Sequence, residues 1–121
     1  MTNFIINLFI LIFGHCIADT AFQSTGMARG KNRHNPIDLS MLPAKQKPIP
    51  LWWMWMTHHA FIHGGIVALL TQNGWLGIVE FLSHWIIDFF KSEGKYNPYV
   101  DQALHIGMKI IYCLILKGSI I

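Results

Sequence analysis

The stretch GIVEFLSHWIIDFFK, residues 77–91, decides how the fold of this chain is interpreted. Most of its side chains suit a helix that faces lipid, yet Glu80, His84 and Asp88 lie within it at intervals of four residues. At about 100° per residue, this spacing places all three ionisable groups on one side of a helix. The pattern therefore predicts an apolar helix with one polar stripe, and that stripe needs polar partners on other helices.

The composition indicates a membrane protein. Of the 121 residues, 53% are hydrophobic and 12% are charged, and this charged share is about half of what soluble proteins carry. The length suits one domain. The net charge of +3 comes mostly from one loop, which favours a signal for membrane orientation over a nucleic-acid-binding surface.

Four apolar segments are long enough to cross about 30 Å of hydrocarbon as helices. They lack the alternation of strands, so the predicted fold is all-α, a four-helix transmembrane bundle that forms a single domain, residues 1–121. The predicted spans are 4–23, 51–72, 75–91 and 99–117. A cleaved signal peptide is the alternative for the first segment, but no Lys or Arg precedes its apolar run, which favours a retained helix.

The connections between the spans predict an orientation. Loop 24–50 is basic and contains four prolines, so it is expected to be irregular, and connection 91–98 contains two lysines. The Asn73-Gly74 turn carries no charge. The positive-inside rule therefore places both basic connections in the cytoplasm and the turn outside, with both chain ends outside. The aromatic run LWWMWM, 51–56, fits an interfacial belt.

The two cysteines, Cys16 and Cys113, lie far apart in sequence and in apolar runs. They form neither a disulfide framework nor a C-x-x-C pair, so two reduced, buried thiols are expected. A disulfide stays open as an alternative if their helices touch.

Each predicted span carries polar residues at helical spacing, and these sets lie at similar depth. A histidine from each helix is expected about 9 to 13 Å from the cytoplasmic surface. Imidazoles and carboxylates that converge in this way suit a divalent metal ion such as zinc or manganese, with iron and nickel as further options. The predicted metal ligands are His15, Asp19, His59, His63, His84, Asp88, Asp101 and His105.

Two alternatives to a metal site stay open for these groups. They are a metal-free polar or proton-relay network, and simple packing between helices. Intramembrane ionisable groups are costly, so a functional role is favoured for the set as a whole. Structural roles, as helix contacts, interface anchors or solvated side chains, are expected for Gln23, His34, His58, Lys91, Gln102 and Lys109.

The ordered motifs GHCIADTAFQ, HHAFIHGG, SHWIIDFFK and DQALH resemble the family called domain of unknown function 3307, over nearly the whole chain. The resemblance implies a small integral membrane protein of bacteria or their phages, in a bacterial inner membrane or a host cell membrane. The family's polar pattern is distantly similar to that of membrane-bound metal-dependent hydrolases. That analogy implies metal-assisted hydrolysis of a lipid-linked ester or phosphodiester, with Glu80 or Asp88 as general base.

Three kinds of function are therefore compared. The first is a metal-dependent hydrolase, the second is a transporter or proton pathway, and the third is a non-enzymatic phage effector that binds a host membrane protein. Nucleophile triads, a P-loop and a dinucleotide fingerprint are not evident in the sequence. The expected partners are the lipid bilayer, a lipid-linked substrate, and a second copy of the chain or a host membrane protein, but no nucleic acid.

Overall fold

Helices make up most of the protein in a computed structural model that describes residues 2–117. Within that range the chain contains no strand, so the all-α prediction is confirmed. The helices are α1 Thr2–Thr20, α2 Thr25–Gly30, α3 Trp52–Thr71, α4 Gly74–Ser92 and α5 Pro98–Leu116, with one turn of 3-10 helix at Leu39–Met41.

Each predicted span corresponds to one long helix, and the ends differ by a few residues. The largest difference is in α1, which ends at Thr20 and leaves Gln23 outside the helix. The prediction that loop 24–50 is irregular was wrong for its first part, because the short helix α2 begins at Thr25, after its N-cap residue Ser24. Its hydroxyl oxygen accepts a hydrogen bond from the Met27 backbone N–H at 3.1 Å, which satisfies one of the unpaired donors of the first turn.

Side-chain caps fix where α4 and α5 begin. Asn73 accepts hydrogen bonds from two backbone N–H groups in the first turn of α4, and Asn97 accepts one from Val100 at 3.0 Å. Pro98 follows Asn97 at the first helical position, where its fixed φ is favourable. Gln72 adopts a left-handed conformation with φ 52°, so α3 and α4 join through a tight turn and run antiparallel.

The four long helices enclose a common centre. α1 packs against α3 and α5, α4 also packs against α3 and α5, and α2 covers one end of α3. The α3–α4 contact is the most extensive, and two glycines face each other in it. A methyl group added at Gly64 would lie 2.7 Å from the Gly77 carbonyl oxygen, so only glycine allows the two backbones to approach this closely.

The interior of the bundle is polar and its exterior is apolar. Among the described side chains, twelve polar or charged residues are buried, whereas twenty-five large hydrophobic residues are exposed. Phe9 on α1, Leu69 on α3 and Leu114 on α5 all have more than half of their surface exposed. A monomeric protein in water rarely exposes apolar surface on this scale, so this exterior requires an apolar environment or a partner.

The buried centre changes character along the bundle axis. Near the α3–α4 turn it is a hydrophobic cluster formed by Leu11, Val67, Leu76, Tyr112 and Cys113. The histidines and carboxylates fill the other half. Both cysteines are free thiols, Cys113 buried as predicted and Cys16 exposed on the outer surface.

Two helical segments, Asn3–Thr20 and Pro98–Leu116, are long and apolar enough to cross a membrane, which is weak support for membrane association. The other two long helices have the length but do not meet the same requirement for hydropathy and few charges. Three histidines in α3, and Glu80, Asp88 and Lys91 in α4, lower their apolar character.

Candidate metal centre

The polar half of the bundle brings together the side chains predicted to converge. Every predicted ligand except Asp19 is almost fully buried, and the side chain of Asp19 is 25% exposed at the edge of the cluster. Three overlapping groups have potential ligand atoms within 4.8 Å of one another. These groups are His15, His63, Glu80 and His84; Asp19, His59, His63 and His84; and His84, Asp88 and His105.

The second group shows how well the spacing suits a metal ion. The Asp19 Oδ1 atom lies 3.3 Å from His59 Nε2 and forms a hydrogen bond with His63 Nε2 at 3.1 Å. Ligand atoms held tetrahedrally at about 2.0–2.1 Å from zinc are about 3.3 Å apart. The imidazoles and the carboxylate are therefore at the separation that a shared ion requires, although their role as ligands stays a prediction.

Several buried atoms in this cluster have no hydrogen-bond partner among the described residues: both ring nitrogens of His59, Nε2 of His84 and Oδ1 of Asp101. His59 Nε2 is close to Asp19 but does not meet it with hydrogen-bond geometry. A buried polar atom left unpaired costs about 1–3 kcal/mol. These unpaired atoms belong to cluster residues on three different helices, α3, α4 and α5.

Glu80 contacts two of the imidazoles, those of His84 and His63, through their Nδ1 atoms. Its Oε1 atom lies 3.3 Å from His84 Nδ1 and 4.0 Å from His63 Nδ1. The two imidazole rings stack with their centroids 3.6 Å apart, and His63 Nε2 forms a hydrogen bond with Asp19 at 3.1 Å whereas His84 Nε2 has no hydrogen-bond partner among the described residues. A carboxylate on the far nitrogen of a metal-binding histidine fixes its tautomer and ring orientation.

The Glu80 carboxylate has three hydrogen-bond partners, and its predicted role as general base stays a prediction. Lys109 Nζ donates to its Oε1 at 2.5 Å, and the Tyr112 hydroxyl donates to its Oε2 at 2.9 Å. With His84 Nδ1 at 3.3 Å, Oε1 has two hydrogen-bond partners and Oε2 has one, so Oε2 keeps a lone pair that can accept a proton.

Three lysines are part of the cluster, and sequence reasoning missed their role. Lys109 pairs with Glu80, Lys31 Nζ lies 2.5 Å from Asp88 Oδ2, and Lys91 Nζ lies 3.2 Å from Asp101 Oδ2. The spacing of Lys109, one turn beyond His105 on the same face of α5, is the signal that could have identified it. Lys31 has no such signal, because it enters the cluster from the end of α2.

Some of the residues for which only structural roles were expected contact the cluster, and others lie outside it. Gln102 Oε1 is 3.2 Å from His15 Nε2, and His58 faces away from the bundle. Asn7, which the sequence analysis did not consider, is also buried in α1. The buried polar set is thus larger than predicted.

A second, exposed ion pair holds the long loop against the end of α4. Arg33 donates two hydrogen bonds to Glu93, at 2.7 and 2.9 Å, and His34 Nε2 lies 3.1 Å from the same carboxylate. His34 therefore has a partner, although it was expected to be only solvated. The hydrogen bonds from Arg33 hold the pKa of the Glu93 carboxyl below its usual value of 4.5.

Together, the fold and the cluster define a small helical protein with an apolar exterior and a buried site of histidines and carboxylates. The sequence model described as Protein of unknown function (DUF3307) matches residues 7–120, and the chain belongs to this family. No curated protein and no solved structure matches the chain. The function must therefore be argued from the site itself.

Proposed function

We propose that this protein is a four-helix transmembrane bundle whose polar half binds a divalent metal ion and hydrolyses a lipid-linked substrate. The exposed apolar side chains on all four long helices support the membrane setting, as do the two segments that are long and apolar enough to span. α3 and α4 cross with them because their polar side chains face inward. The exposed Arg29 and Arg33 support a cytoplasmic position for loop 24–50.

The observation that carries the metal site is that buried ring nitrogens of His59 and His84 have no hydrogen-bond partner among the described residues and belong to a group of four side chains at metal-ligand spacing. The proposed first shell is Asp19, His59, His63 and His84, which come from three helices. Neutral imidazole with carboxylate suits zinc, and manganese is the second choice. Glu80 completes the arrangement by holding Nδ1 of His84.

A hydrolytic reaction fits this chemistry, because a bound divalent ion lowers the pKa of a coordinated water toward 7. Asp88 Oδ2 lies 3.5 Å from His59 Nε2, beside the proposed ion, and Glu80 and Asp88 are the two candidates for the general base. The cluster lies in the half of the bundle that bears loop 24–50. This position suits an ester or phosphodiester at the level of lipid headgroups.

Elemental analysis of the full-length, untagged protein in mild detergent tests the metal site. We expect stoichiometric zinc in the wild type and at least about 10-fold weaker zinc binding in His59→Ala. His58→Ala is the matched control, because His58 is the adjacent residue and is exposed. Absence of bound metal in the wild type, or equal zinc binding by both variants, would contradict the proposal.

The hydrolytic step needs its own assay. Zinc-loaded protein in vesicles is expected to release product from a fluorescent phospholipid, and a chelator should stop the release. His59→Ala should be inactive while His58→Ala retains activity. Metal binding without any turnover of ester or phosphodiester would remove the hydrolase and leave a non-enzymatic metal protein.

A metal-free polar network is the second candidate, and the lysines favour it. Lys31, Lys91 and Lys109 each pair with a buried carboxylate, so three of the four acids already have a cation partner. A proton pathway across the bundle is less favoured, because the hydrophobic cluster near the α3–α4 turn separates these acids from the opposite end.

A further inference from the structure

A groove lies outside the histidine cluster, between α2, loop 31–51 and the first turn of α3. Its volume is about 870 Å³, which is within the usual range for sites that bind small molecules. Arg29 and Gly30 line it from α2, and Trp52 and Trp55 line it from α3. Gly30 packs against the Trp55 ring so closely that an added methyl group would lie 2.5 Å from Cδ1. We call this cavity the loop groove.

The polar lining of the loop groove carries a net positive charge. Its charged residues are Arg29, Arg33 and Asp38, so two guanidinium groups accompany one carboxylate. That carboxylate is already occupied, because Asp38 Oδ1 accepts hydrogen bonds from the Ser40 backbone N–H at 3.0 Å and from the Ser40 hydroxyl at 2.6 Å. These hydrogen bonds chiefly lower the pKa of Asp38, and Arg29 adds a smaller electrostatic effect.

Arg29 is the cation of the loop groove that has no partner of its own. Its backbone carbonyl accepts a hydrogen bond from Asn35 Nδ2 at 2.9 Å, which fixes the chain at this point. Its guanidinium forms neither a hydrogen bond nor an ion pair with any described residue. A guanidinium presents paired N–H donors that match the oxygens of a phosphate, so Arg29 is suited to bind an anion.

Arg33 is held in a fixed orientation beside it. Glu93 accepts hydrogen bonds from its Nε and Nη2 atoms at 2.7 and 2.9 Å, and the guanidinium carbon lies 6.0 Å from the centroid of the Trp52 ring. These hydrogen bonds use two of the five N–H donors of an arginine. The side chain is 44% exposed, so the remaining donors are accessible to a ligand.

The rest of the lining is apolar and open to the surroundings. Ile37, Leu39 and Ile49 are 42%, 63% and 45% exposed, although they belong to a basic loop. Trp52 and Trp53 follow at the start of α3, where aromatic residues are typical of a membrane interface. Phosphate-binding donors beside exposed apolar side chains fit a ligand with an anionic head and hydrocarbon chains.

We propose that the loop groove binds the headgroup phosphate of an anionic phospholipid, with Arg29 as the main contact and Arg33 as a second donor. The inference rests on the membrane setting of the proposed function and is independent of the metal site. Basic pockets on the cytoplasmic side of membrane proteins bind anionic headgroups in this way. The lining has two cations and one anion, so a lipid with a single net negative charge compensates it.

Native mass spectrometry of the untagged full-length protein in a mild nonionic detergent tests the site. The protein is titrated with phosphatidylglycerol, which is anionic, or with phosphatidylcholine, which has no net charge. We expect one tightly bound phosphatidylglycerol in the wild type, and about 10-fold weaker binding in Arg29→Gln. Phosphatidylcholine should bind weakly to both proteins.

Lys47→Gln is the matched control, because Lys47 is an exposed residue of the same loop that does not line the groove. It removes the same charge and should leave the binding of phosphatidylglycerol unchanged. Arg29→Lys keeps the charge but loses the paired donors, so it should bind this lipid more weakly than the wild type. It replaces Arg29→Gln if that variant does not fold.

Three results would overturn the inference. Equal weakening by Arg29→Gln and Lys47→Gln would mean that the loop attracts anions diffusely and has no defined site. Equal binding of the two lipids by the wild type would remove the role of the anionic headgroup. Displacement of phosphatidylglycerol by inorganic phosphate at the same concentration would mean that the groove binds free phosphate and not a lipid.

Repeating the titration with zinc and with a chelator separates this inference from the metal site. The affinity for phosphatidylglycerol should be the same in both conditions. Equal affinities would support the lipid site even where elemental analysis finds no bound metal, whereas loss of lipid binding on chelation would overturn its independence from the metal.

Discussion

The buried pair between Lys109 and Glu80 gives a strong prediction about stability. Their charged atoms lie 2.5 Å apart and each side chain is 1% exposed, so water cannot replace either partner. Removal of one member of a buried ion pair costs about 3–5 kcal/mol, because the other charge is left without compensation. For a chain of this size, Lys109→Met should therefore lower the midpoint of thermal unfolding by about 10–20 °C.

The measurement is thermal unfolding in detergent, followed by tryptophan fluorescence. Lys95→Met is the matched control, because Lys95 is exposed and its substitution should change the midpoint by no more than a few degrees. Glu80→Gln should also destabilise, since it leaves Lys109 buried alone. The double variant should recover much of the lost stability, because replacement of both members of a buried pair is often nearly neutral.

This double-mutant cycle can refute the reasoning in two ways. A decrease of less than about 3 °C for Lys109→Met would mean that the pair is not a compensated ion pair. Strict additivity of the two single changes would mean that the two residues stabilise the fold independently, despite their short separation.

Two further predictions concern the helix packing and the loop. Gly64→Ala should separate α3 from α4 at Gly77 and weaken zinc binding at least about 10-fold. Gly65→Ala is the control, because the space around Gly65 is open and zinc binding should stay unchanged. Equal effects of the two substitutions in a zinc titration would contradict this prediction. Arg33→Gln should raise the pKa of Glu93 toward 4.5, as measured by carboxyl NMR titration. Because the pKa of Glu93 is depressed in the folded protein, the contribution of this contact to stability is present above pH 4.5 and is lost as the pH falls through the folded pKa. An unchanged Glu93 titration in the variant would mean that Arg33 does not lower this pKa.

The helices and their inward faces were predictable because the polar residues repeat every four positions. Glu80, His84 and Asp88 on α4, and Asp101 and His105 on α5, lie on the buried faces of their helices as their spacing indicated. Periodicity within one helix determines a face, and the need to bury charge determines what that face must meet.

The sequence could not indicate which atoms pair, because pairing depends on how the helices are placed beside one another. The role of Glu80 illustrates this, since only the packed structure shows Lys109 and Tyr112 on its two oxygens. Lys31 illustrates a different limit. It comes from a loop without periodicity, so its contact with Asp88 depends on the path of the chain through α2.

The close contact at Gly64 and Gly77 determines more than the separation of two helices. Each glycine is flanked by a larger neighbour across the interface, Phe81 beside Gly64 and Ala68 beside Gly77, so α3 cannot slide along α4 without a steric clash. The longitudinal alignment of the two helices, and with it the stacking of His63 on His84, is therefore set by backbone shape. If the proposed ion binds, its ligands on α3 and α4 are already aligned, so little of its binding free energy would be lost to rearrangement of the protein.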